Sequence, residues 1–325
     1  VQDPLIGWAI DRWPRAQGSV VMSAAGGLAI GFPLLFMQRS GPHIIAELTA
    51  ILILLFSAYS LGMILLYGRS ATLARRPDAR ELMILAAFRE GGMLAGVVIA
   101  AISPAVLVSL GAPNEGYPMF GLVLGALTIV TAVITRPMWR KPPIASDALS
   151  SKGLARAGAF RLLLLALVNS LPVALTSTLF LFFVEDHLQL TGKAGLLLVL
   201  FFLCAGASIP LWVWISRRIG AKRTLLCAMP LSILGFVGAG FLASGNLVGF
   251  AAICVASGAA LGADMVVLPA MFSVALTKAG LNASTAFGLW SFAGKLGLAI
   301  AAFMALPLLD RAGFVPGQTN SPEAL

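Results

Sequence analysis

Nine apolar stretches, each long enough to cross a lipid bilayer, constrain the fold of this chain more than any other feature. A bilayer core of about 30 Å requires about 20 apolar residues in a helix, with a range of about 17 to 25. The sequence therefore predicts an all-α membrane protein with nine full transmembrane helices, approximately over residues 19–38, 44–67, 82–109, 118–135, 160–184, 194–215, 224–243, 247–271 and 285–308.

The small number of charged residues also indicates that lipid is the solvent of this chain. Charged residues make up 11% of the sequence, whereas soluble domains carry roughly 25%. A net charge of +9 is compatible with a nucleic-acid partner, but the positions of the basic residues argue against one. The basic residues lie in short loops between apolar stretches, and no basic and aromatic surface stretch is present to follow a phosphate backbone. We expect contact with a lipid bilayer and no nucleic-acid partner.

The distribution of Lys and Arg predicts the orientation of the helices. Seventeen of the 22 Lys and Arg residues lie in alternate loops, and only three, Arg39, Lys193 and Arg311, lie in the other loops. Short cytoplasmic loops of membrane proteins carry an excess of Lys and Arg. The alternate loops with the excess are therefore predicted to be cytoplasmic, and they begin at Arg12, Arg69, Arg136, Arg217 and Lys278.

The longest loop predicts a division of the chain into two halves. It is basic, contains Pro and Ser, and has the composition of a solvated linker rather than of a folded domain. We predict an N-terminal helical half over residues 1–138, a cytoplasmic central linker over 139–159 and a C-terminal helical half over 160–325.

The two ends of the sequence suggest a larger bundle. Residues 1–10 are apolar but too short to span, so they predict the end of one further helix. Residues 313–325 have the composition of an extracytoplasmic loop. If both termini of the intact protein are cytoplasmic, we expect a bundle truncated from twelve helices, with the end of helix 2 to helix 6 in one half and helices 7 to 11 in the other.

Five ionisable residues within the apolar stretches are candidate functional residues, because an ionisable group in a membrane helix is costly. They are Asp3, Arg89, Glu90, Asp264 and Lys295. At about 1.5 Å of rise per residue, the first four are expected roughly 10 Å inside the cytoplasmic boundary and Lys295 roughly 15 Å inside. One layer near the midplane is typical of the substrate and ion sites of transporters.

Each candidate also has a structural interpretation. Arg89 and Glu90 are neighbours whose side chains leave a helix about 100° apart, so they need not face one cavity. Either residue could instead pair with another helix. Trp290, about one turn before Lys295, either stacks on a sugar ring or packs among helices. Asn169 either hydrogen-bonds a polar solute or bridges two helices. If Arg89 and Lys295 each neutralise one of the three acids, one carboxylate remains to hold Na⁺ or H⁺.

A short pattern follows the first partial helix. Gly7, Asp11 and Arg12 form Gly-x-x-x-Asp-Arg at a predicted cytoplasmic loop. Gly7 permits close contact between helices, and Asp11 at a helix end is able to lock two helices in one access state. We interpret these residues as a gating loop.

Four segments together resemble the glycoside–pentoside–hexuronide:cation symporters of the major facilitator superfamily, the group that includes melibiose permease. DPLIGWAIDR is similar to the end of that family's second helix and the following loop, and AFREGGMLAG to its fifth helix. LGADMVVLPAMFS resembles its tenth helix, and FGLWSFAGKLGLAIAAFMALPLLDRAGFVPG resembles its eleventh helix with the loop after it. The similarity extends across nearly the whole chain.

The resemblance implies a major-facilitator-type bundle of twelve helices and sugar uptake coupled to Na⁺, H⁺ or Li⁺. It implies that Asp3 is a cation-site carboxylate, that Arg89 contacts sugar and that Lys295 lies near the site. Glu90, Asp264 and Trp290 complete the candidate substrate-binding set. We expect no cofactor and no bound metal besides the coupling cation, and a monomeric multi-pass protein in a bacterial inner (plasma) membrane.

Three function classes are open to a helical membrane protein of this kind. The first is cation-coupled symport of a sugar or related polar solute by alternating access. The second is a carrier on the same fold for a lipid-like or drug-like substrate without Na⁺ coupling, which is favoured by the lack of an acidic residue between Leu48 and Tyr67. The third is a membrane-embedded enzyme, which lacks sequence support because no HExxH or GxSxG pattern occurs. We therefore predict a transporter and not an enzyme.

Overall fold

The computed structural model of the chain describes residues 2–38, 41–74, 78–112, 116–139, 149, 151–281 and 283–311. Helices dominate these residues, with a 3-10 turn at Pro14–Ala16 and a π-helical turn at Phe183–His187. The helices are α1 (Gln2–Arg12), α2 (Gln17–Phe36), α3 (Ile44–Gly68), α4 (Ser70–Leu73), α5 (Ala79–Ser109), α6 (Tyr117–Trp139), α7 (Ser151–Arg156), α8 (Ala159–Phe182), α9 (Ala194–Ile219), α10 (Ala221–Ala239), α11 (Leu247–Ala279) and α12 (Ala283–Arg311).

Nine helical segments of the described chain are long and apolar enough to cross a membrane, which confirms the nine predicted spans. The short apolar segment at the start of the chain, predicted over residues 1–10 as the end of a further helix, forms the short helix α1. The largest differences lie at helix ends. The stretch predicted over 224–243 ends at Ala239, because the N–H groups of Gly240 and Phe241 bond to carbonyls three residues back and close a turn. The stretch predicted to end at residue 271 continues to Ala279.

Residues 140–148 and 150 of the predicted linker over 139–159 lie outside the described residues, as does the predicted terminal loop over 313–325. The described part of the linker forms the short helix α7, and Gly158, with a φ of 68°, separates it from α8. The division into two helical halves at this linker stays a prediction.

The helices group into two compact units. The first unit comprises Val1–Pro77, Ile99–Ala157 and Ala275–Phe292, and the second comprises Asp78–Val98, Gly158–Val274 and Ala293–Leu325. Helices α5, α11 and α12 each contribute residues to both units.

In the first unit, α2 packs between α3 and α6 through small residues. A Cβ atom added to Gly31 would lie 2.6 Å from Cδ2 of Leu55 on α3. A Cβ atom added to Gly125 on α6 would lie 2.7 Å from the carbonyl oxygen of Ala29. Such close backbone approach is how membrane helices gain van der Waals contact where lipid is as apolar as the helix surface. One end of this group is filled by the buried cluster Ile10, Val21, Ile64 and Leu65.

In the second unit, α9 contacts both α5 and α11. A Cβ atom on Gly206 would lie 3.6 Å from Cβ of Leu94, and one on Gly91 would lie 3.7 Å from Cδ1 of Ile209. On α11, a Cβ atom on Gly258 would overlap the carbonyl oxygen of Phe201. These contacts fix the register of the three helices against one another, which positions the charged residues of this unit.

Candidate functional site

The first part of the site is a close contact between α1 and the start of α12, both in the first unit. A Cβ atom on Gly7 would overlap the carbonyl oxygen of Ser284 and lie 2.8 Å from Cα of Thr285. One turn earlier on α1, the carbonyl oxygen of Asp3 would lie 2.5 Å from a Cβ atom on Gly288. Two glycines, one on each helix, therefore allow the two backbones to meet.

Asp11 binds the first turn of α12 across this contact. Its Oδ2 accepts hydrogen bonds from the backbone N–H of Thr285 at 2.7 Å and from Oγ1 of Thr285 at 2.6 Å, although the residues are 274 positions apart. The first four N–H groups of a helix have no partner within the helix, and its N-terminus carries partial positive charge. The carboxylate of Asp11 thus serves as a cap for another helix. Arg12, the next residue, is exposed at the end of α1.

Asp3 lies in the interior of the first unit. Its exposed fraction is 1%, and Oγ of Ser291 on α12 donates a hydrogen bond to its Oδ2 at 2.6 Å. A short hydrogen bond to an ionised acceptor is about twice as strong as a neutral one. Asp3 therefore connects α1 to α12 about two turns before Asp11 on α1.

Aromatic rings line the same face of α12. The ring of Tyr67 at the end of α3 lies 5.0 Å from that of Phe287, and Trp290 lies 6.3 Å from Phe287, centre to centre. Trp290 is partly buried rather than enclosed. Both interpretations of this residue stay open.

A buried cation follows α3. Arg69 is 2% exposed, its Nη1 donates to the carbonyl oxygen of Trp139 at 3.1 Å, and its guanidinium carbon lies 5.6 Å from the centre of the Trp139 ring. Burial lowers the pKa of Arg69 from its usual value. Arginine remains protonated in proteins, so the group still acts as a cation that holds the end of α6 to the end of α3. In the sequence Arg69 looks like any other basic loop residue, and no signal distinguishes it.

The charged residues of the second unit lie at one level of their helices. Gly91 meets Ile209 of α9, and Gly262 of α11 meets Ser208 of the same helix. Glu90 is next to Gly91, and Asp264 is two residues after Gly262, so both lie within roughly 5 Å of one level along α9. The single layer that the sequence predicts for all five ionisable residues stays a prediction.

Helices α8 and α12 reach the same level. A Cβ atom on Gly297 would overlap Oγ of Ser170, and Lys295 is two residues before Gly297. Asn169, the neighbour of Ser170, hydrogen-bonds the side chain of Asp264. The side chain of Lys295 is partly buried. The second unit thus brings α5, α8, α11 and α12 together at one polar level.

Arg89 and Glu90 bind each other, although neighbours on a helix point about 100° apart. Nε of Arg89 donates to Oε1 of Glu90 at 2.8 Å, and the two side chains are 8% and 2% exposed. The flexible arginine side chain bends to reach the carboxylate. Both residues face the protein interior and not lipid, and the two formal charges offset each other at low dielectric.

Asp264 differs from the other acids in its environment. Its Oδ1 is buried and has no hydrogen-bond partner among the described residues, whereas Asn169 hydrogen-bonds the carboxyl group. Both sequence interpretations of Asn169 stay open. No group of three or more His, Cys, Asp or Glu residues that could hold a metal ion is found within the described ranges.

The structure therefore gathers the predicted residues into two sets. Asp3, Gly7, Asp11 and Trp290 belong to the first unit, and Arg89, Glu90, Asp264 and Lys295 to the second. The functional roles assigned to them stay predictions. Their partners on α12 were not found from the sequence, because Ser and Thr residues are frequent in membrane helices and lack a distinctive spacing; they are Ser284, Thr285 and Ser291.

The chain as a whole is similar to known transport proteins. A family model described as "MFS/sugar transport protein" matches residues 1–325. A crystal structure described as a bacterial homologue of the iron transporter ferroportin in an outward-facing state is similar at a TM-score of 0.66 and 15% identity, covering 99% of this chain and 82% of that one. At this identity the likeness concerns the fold alone. No curated protein sequence matches the chain.

Proposed function

The chain belongs to the MFS/sugar transport protein family, and on this basis we propose that it performs cation-coupled symport of a sugar or a related polar solute by alternating access. The membership and the helical architecture make it a multi-pass transporter of the major facilitator superfamily and not an enzyme. The identity of the solute, the coupling to a cation and the direction of transport are proposals.

The observation that supports a polar solute best is the charged level in the second unit. Arg89 and Glu90 are almost fully buried, and Asp264 and Lys295 lie at the same level of the bundle. Placing four ionisable groups inside a membrane protein is costly, and such groups are usually kept where they bind a solute or an ion. Paired acids and bases offer both hydrogen-bond acceptors and donors, which is what the hydroxyl groups of a sugar require.

Trp290 contributes the apolar part of solute recognition in this proposal. Aromatic side chains combine a large flat apolar surface with a polar edge. In this proposal the partly buried ring of Trp290 stacks on the apolar face of a sugar ring.

Asp3 is the proposed site of the coupling cation, Na⁺ or H⁺. Asp3 is 1% exposed, and a bound cation would offset part of the cost of burying its charge. The Ser291 hydroxyl that now donates to Asp3 supplies an oxygen ligand once it turns. Cation binding at Asp3 would then alter a contact that holds α1 to α12.

The loop residues Gly7, Asp11 and Arg12 are the proposed gate. The two hydrogen bonds from Thr285 to Asp11 must break before α1 and the start of α12 can separate. If this end of the helices is cytoplasmic, as the Lys and Arg distribution predicts, the contact stabilises a conformation closed on that side.

The alternative is a carrier of a lipid-like or drug-like substrate without Na⁺ coupling. One observation favours it: α3 carries no acidic residue after Glu47 in its first turn, so the helix presents no further carboxylate to a sugar or a cation. In this alternative the buried charges of the second unit bind a polar head group.

Uptake by the intact protein in lipid vesicles distinguishes these functions. Radiolabelled sugars are offered under an imposed Na⁺ gradient, an imposed pH gradient, or neither. Symport predicts accumulation of at least one sugar only when a gradient is imposed. Accumulation of a lysolipid or an apolar cation, with no effect of a Na⁺ gradient and no sugar uptake, would support the alternative instead.

Matched variants connect the transport to the proposed residues. Lys295→Gln should abolish sugar uptake, whereas Lys193→Gln, at an exposed position before α9, should retain it. Asp3→Asn should abolish accumulation by the gradient but permit exchange of sugar across the membrane. Undiminished coupling in Asp3→Asn would remove this residue from the cation site.

We also propose that the protein is located in a bacterial inner membrane and is a monomer.

A further inference from the structure

The turn between α9 and α10 concentrates positive charge that none of the roles proposed so far uses. Four of the seven residues over 217–223 are basic, and no Asp or Glu occurs in the sequence between Asp186 and Asp264. By contrast, Arg12 in the first basic turn directly follows Asp11. The four basic residues are exposed, and none of them is in an ion pair within the described ranges; they are Arg217, Arg218, Lys222 and Arg223.

A tight turn brings these residues to one end of a packed helix pair. Only Gly220, with a φ of 86°, separates α9 from α10. Both helices belong to the second unit, and Trp212 of α9 and Ala228 of α10 share one buried cluster. The last turn of α9 therefore lies near the first turn of α10, and Arg218 and Lys222 belong to the same end of the pair.

Arg218 lies on the outward face of α9. Ile209 of α9 contacts α5, and nine residues at about 100° each place Arg218 about 180° from Ile209 around the helix. Trp214, about one turn before Arg218, is 55% exposed, and the guanidinium carbon of Arg218 lies 5.2 Å from the centre of its ring. Further along the helix this face carries exposed leucines, which are Leu196, Leu203 and Leu211.

Helix α10 carries a matching face. Arg223 is exposed in its first turn, and exposed apolar side chains follow within about 60° of it around the helix. They are Leu226, Leu234 and Val237. Each of the two helices thus has an exposed apolar stripe, and both stripes end in basic residues at the same end of the pair.

An apolar stripe that ends in Trp and Arg is typical of a membrane helix where it leaves the lipid core. A phospholipid has the matching chemistry, because its acyl chains fit the stripes and its phosphate fits Arg and Lys. Four to eight basic residues directly beside a membrane helix favour anionic lipids, each by a factor of about five in binding. A soluble anion would use the charges but not the apolar stripes.

We propose that the turn between α9 and α10 is a binding site for an anionic phospholipid. The phosphate binds to Arg218, Lys222 and Arg223, and the acyl chains lie along the two apolar stripes. Trp214 is a positioning residue, because its ring holds the guanidinium of Arg218 at the end of the stripe. The lipid belongs to the leaflet on the predicted cytoplasmic side. This site does not depend on the proposed solute or coupling ion.

Native mass spectrometry of the purified intact protein in detergent tests the site. The protein is titrated with phosphatidylglycerol and, separately, with phosphatidylcholine of the same acyl chains. In the triple variant Arg218→Gln/Lys222→Gln/Arg223→Gln, the dissociation constant of the first bound phosphatidylglycerol should rise at least about fivefold. Binding of phosphatidylcholine, which has no net charge, should change less than about twofold. An unchanged dissociation constant for phosphatidylglycerol would overturn the site.

The matched control removes one Lys and two Arg residues elsewhere on the predicted cytoplasmic side. Lys152, Arg156 and Arg161 are exposed, and Gly158 divides them between α7 and α8. Replacing all three by Gln should leave the dissociation constant for phosphatidylglycerol within about twofold of that of the unmodified protein. An equal loss of binding in the two triple variants would show a general effect of positive charge and would overturn the site.

Variants of Trp214 test its positioning role. Trp214→Ala should raise the dissociation constant for phosphatidylglycerol about twofold to threefold, and Trp214→Phe should retain most of the affinity because an aromatic ring remains. A merely structural role would lower thermal stability and leave lipid binding as it was. Lipid binding that is unchanged in Trp214→Ala would therefore contradict the positioning role.

Two competitors distinguish a lipid from other anions. Glycerol phosphate has the phosphate without acyl chains, and tetraglutamate represents an acidic peptide. Neither should displace phosphatidylglycerol when added in molar excess. Displacement by glycerol phosphate would indicate a site for a free phosphate, and displacement by tetraglutamate would indicate an acidic protein partner. Either result would overturn the lipid site, and neither would affect the proposed sugar transport, because no sugar and no ion gradient is present.

Discussion

The carboxylates of the two units contrast sharply in how they are satisfied. In the first unit, Asp11 accepts two hydrogen bonds from Thr285 and Asp3 accepts one from Ser291, all on α12. In the second unit, Oδ1 of Asp264 is buried with no partner in the described chain. Asp3 and Asp11 of the first unit bind a neighbouring helix, whereas Asp264 of the second unit has an oxygen without a hydrogen-bond partner in the described chain.

The two kinds of carboxylate relate charge changes to helix movement in different ways. A charge change at Asp3 acts on a hydrogen bond between α1 and α12, so ion binding there would be linked to the position of α12. A charge change at Oδ1 of Asp264 would act on no hydrogen bond of that oxygen in the described chain. A site such as Asp3 can couple ion binding to helix movement. A site such as Asp264 can change the charge of a binding site without such a movement.

The greatest loss of stability should come from the glycine that brings α1 onto α12. Gly7→Leu should lower the free energy of unfolding by about 3 kcal/mol, because even a Cβ atom there overlaps the backbone of Ser284. Thermal unfolding in detergent, followed by Trp fluorescence, measures the loss. Gly62→Leu on α3 is the control, since nothing lies within 4 Å of a Cβ atom there. Equal stability of the two variants would show that α1 does not contact α12 closely.

The next effect in size concerns the cap that Asp11 forms on α12. Asp11→Ala should lower the free energy of unfolding by about 2 kcal/mol, because two hydrogen bonds to a charged acceptor are lost. It should also reduce transport. The control is Asp78→Ala, where the lost hydrogen bond is local, to the N–H of Glu81 at the start of α5. Asp78→Ala should lower the free energy of unfolding by about 1 kcal/mol and leave transport intact. A larger loss of stability and of transport in Asp78→Ala than in Asp11→Ala would contradict the proposed gate.

A smaller effect is expected from the hydroxyl that donates to Asp3. Ser291→Ala should cost about 1 kcal/mol of unfolding free energy, because Asp3 has further interactions that remain. A double-mutant cycle with Asp3→Asn isolates the pair. Non-additive losses are expected, and strictly additive losses would mean that Ser291 does not stabilise Asp3.

The least change in stability is expected at Asp264, where the contrast between the two units is tested most directly. Asp264→Asn should change the free energy of unfolding by less than about 0.5 kcal/mol, or increase it, because a buried oxygen without a donor is replaced by a neutral amide. The same unfolding assay at neutral pH measures this change. A loss of more than about 1 kcal/mol would show that Asp264 is held as firmly as the acids of the first unit.

The helices and the chemical types of the candidate residues follow from the sequence alone. Apolar length sets the nine spans, because each must match the thickness of a bilayer, and the sequence predicts all nine. The pattern of Gly7 and Asp11 indicates a contact between helices, and the structure contains it. Ionisable residues in apolar stretches stand out for the same reason, since lipid tolerates few of them.

Which residues meet depends on how the helices assemble. The partners of Asp11 and Asp3 lie 274 and 288 positions away. The bond between Arg89 and Glu90, the bridge of Asn169 to Asp264 and the burial of Arg69 are likewise not specified by the sequence. In a membrane protein the lipid-facing and inward-facing sides of a helix are both apolar, so periodicity does not reveal its rotation. Rotation and register are set by close packing at glycines, which becomes visible only in the tertiary structure.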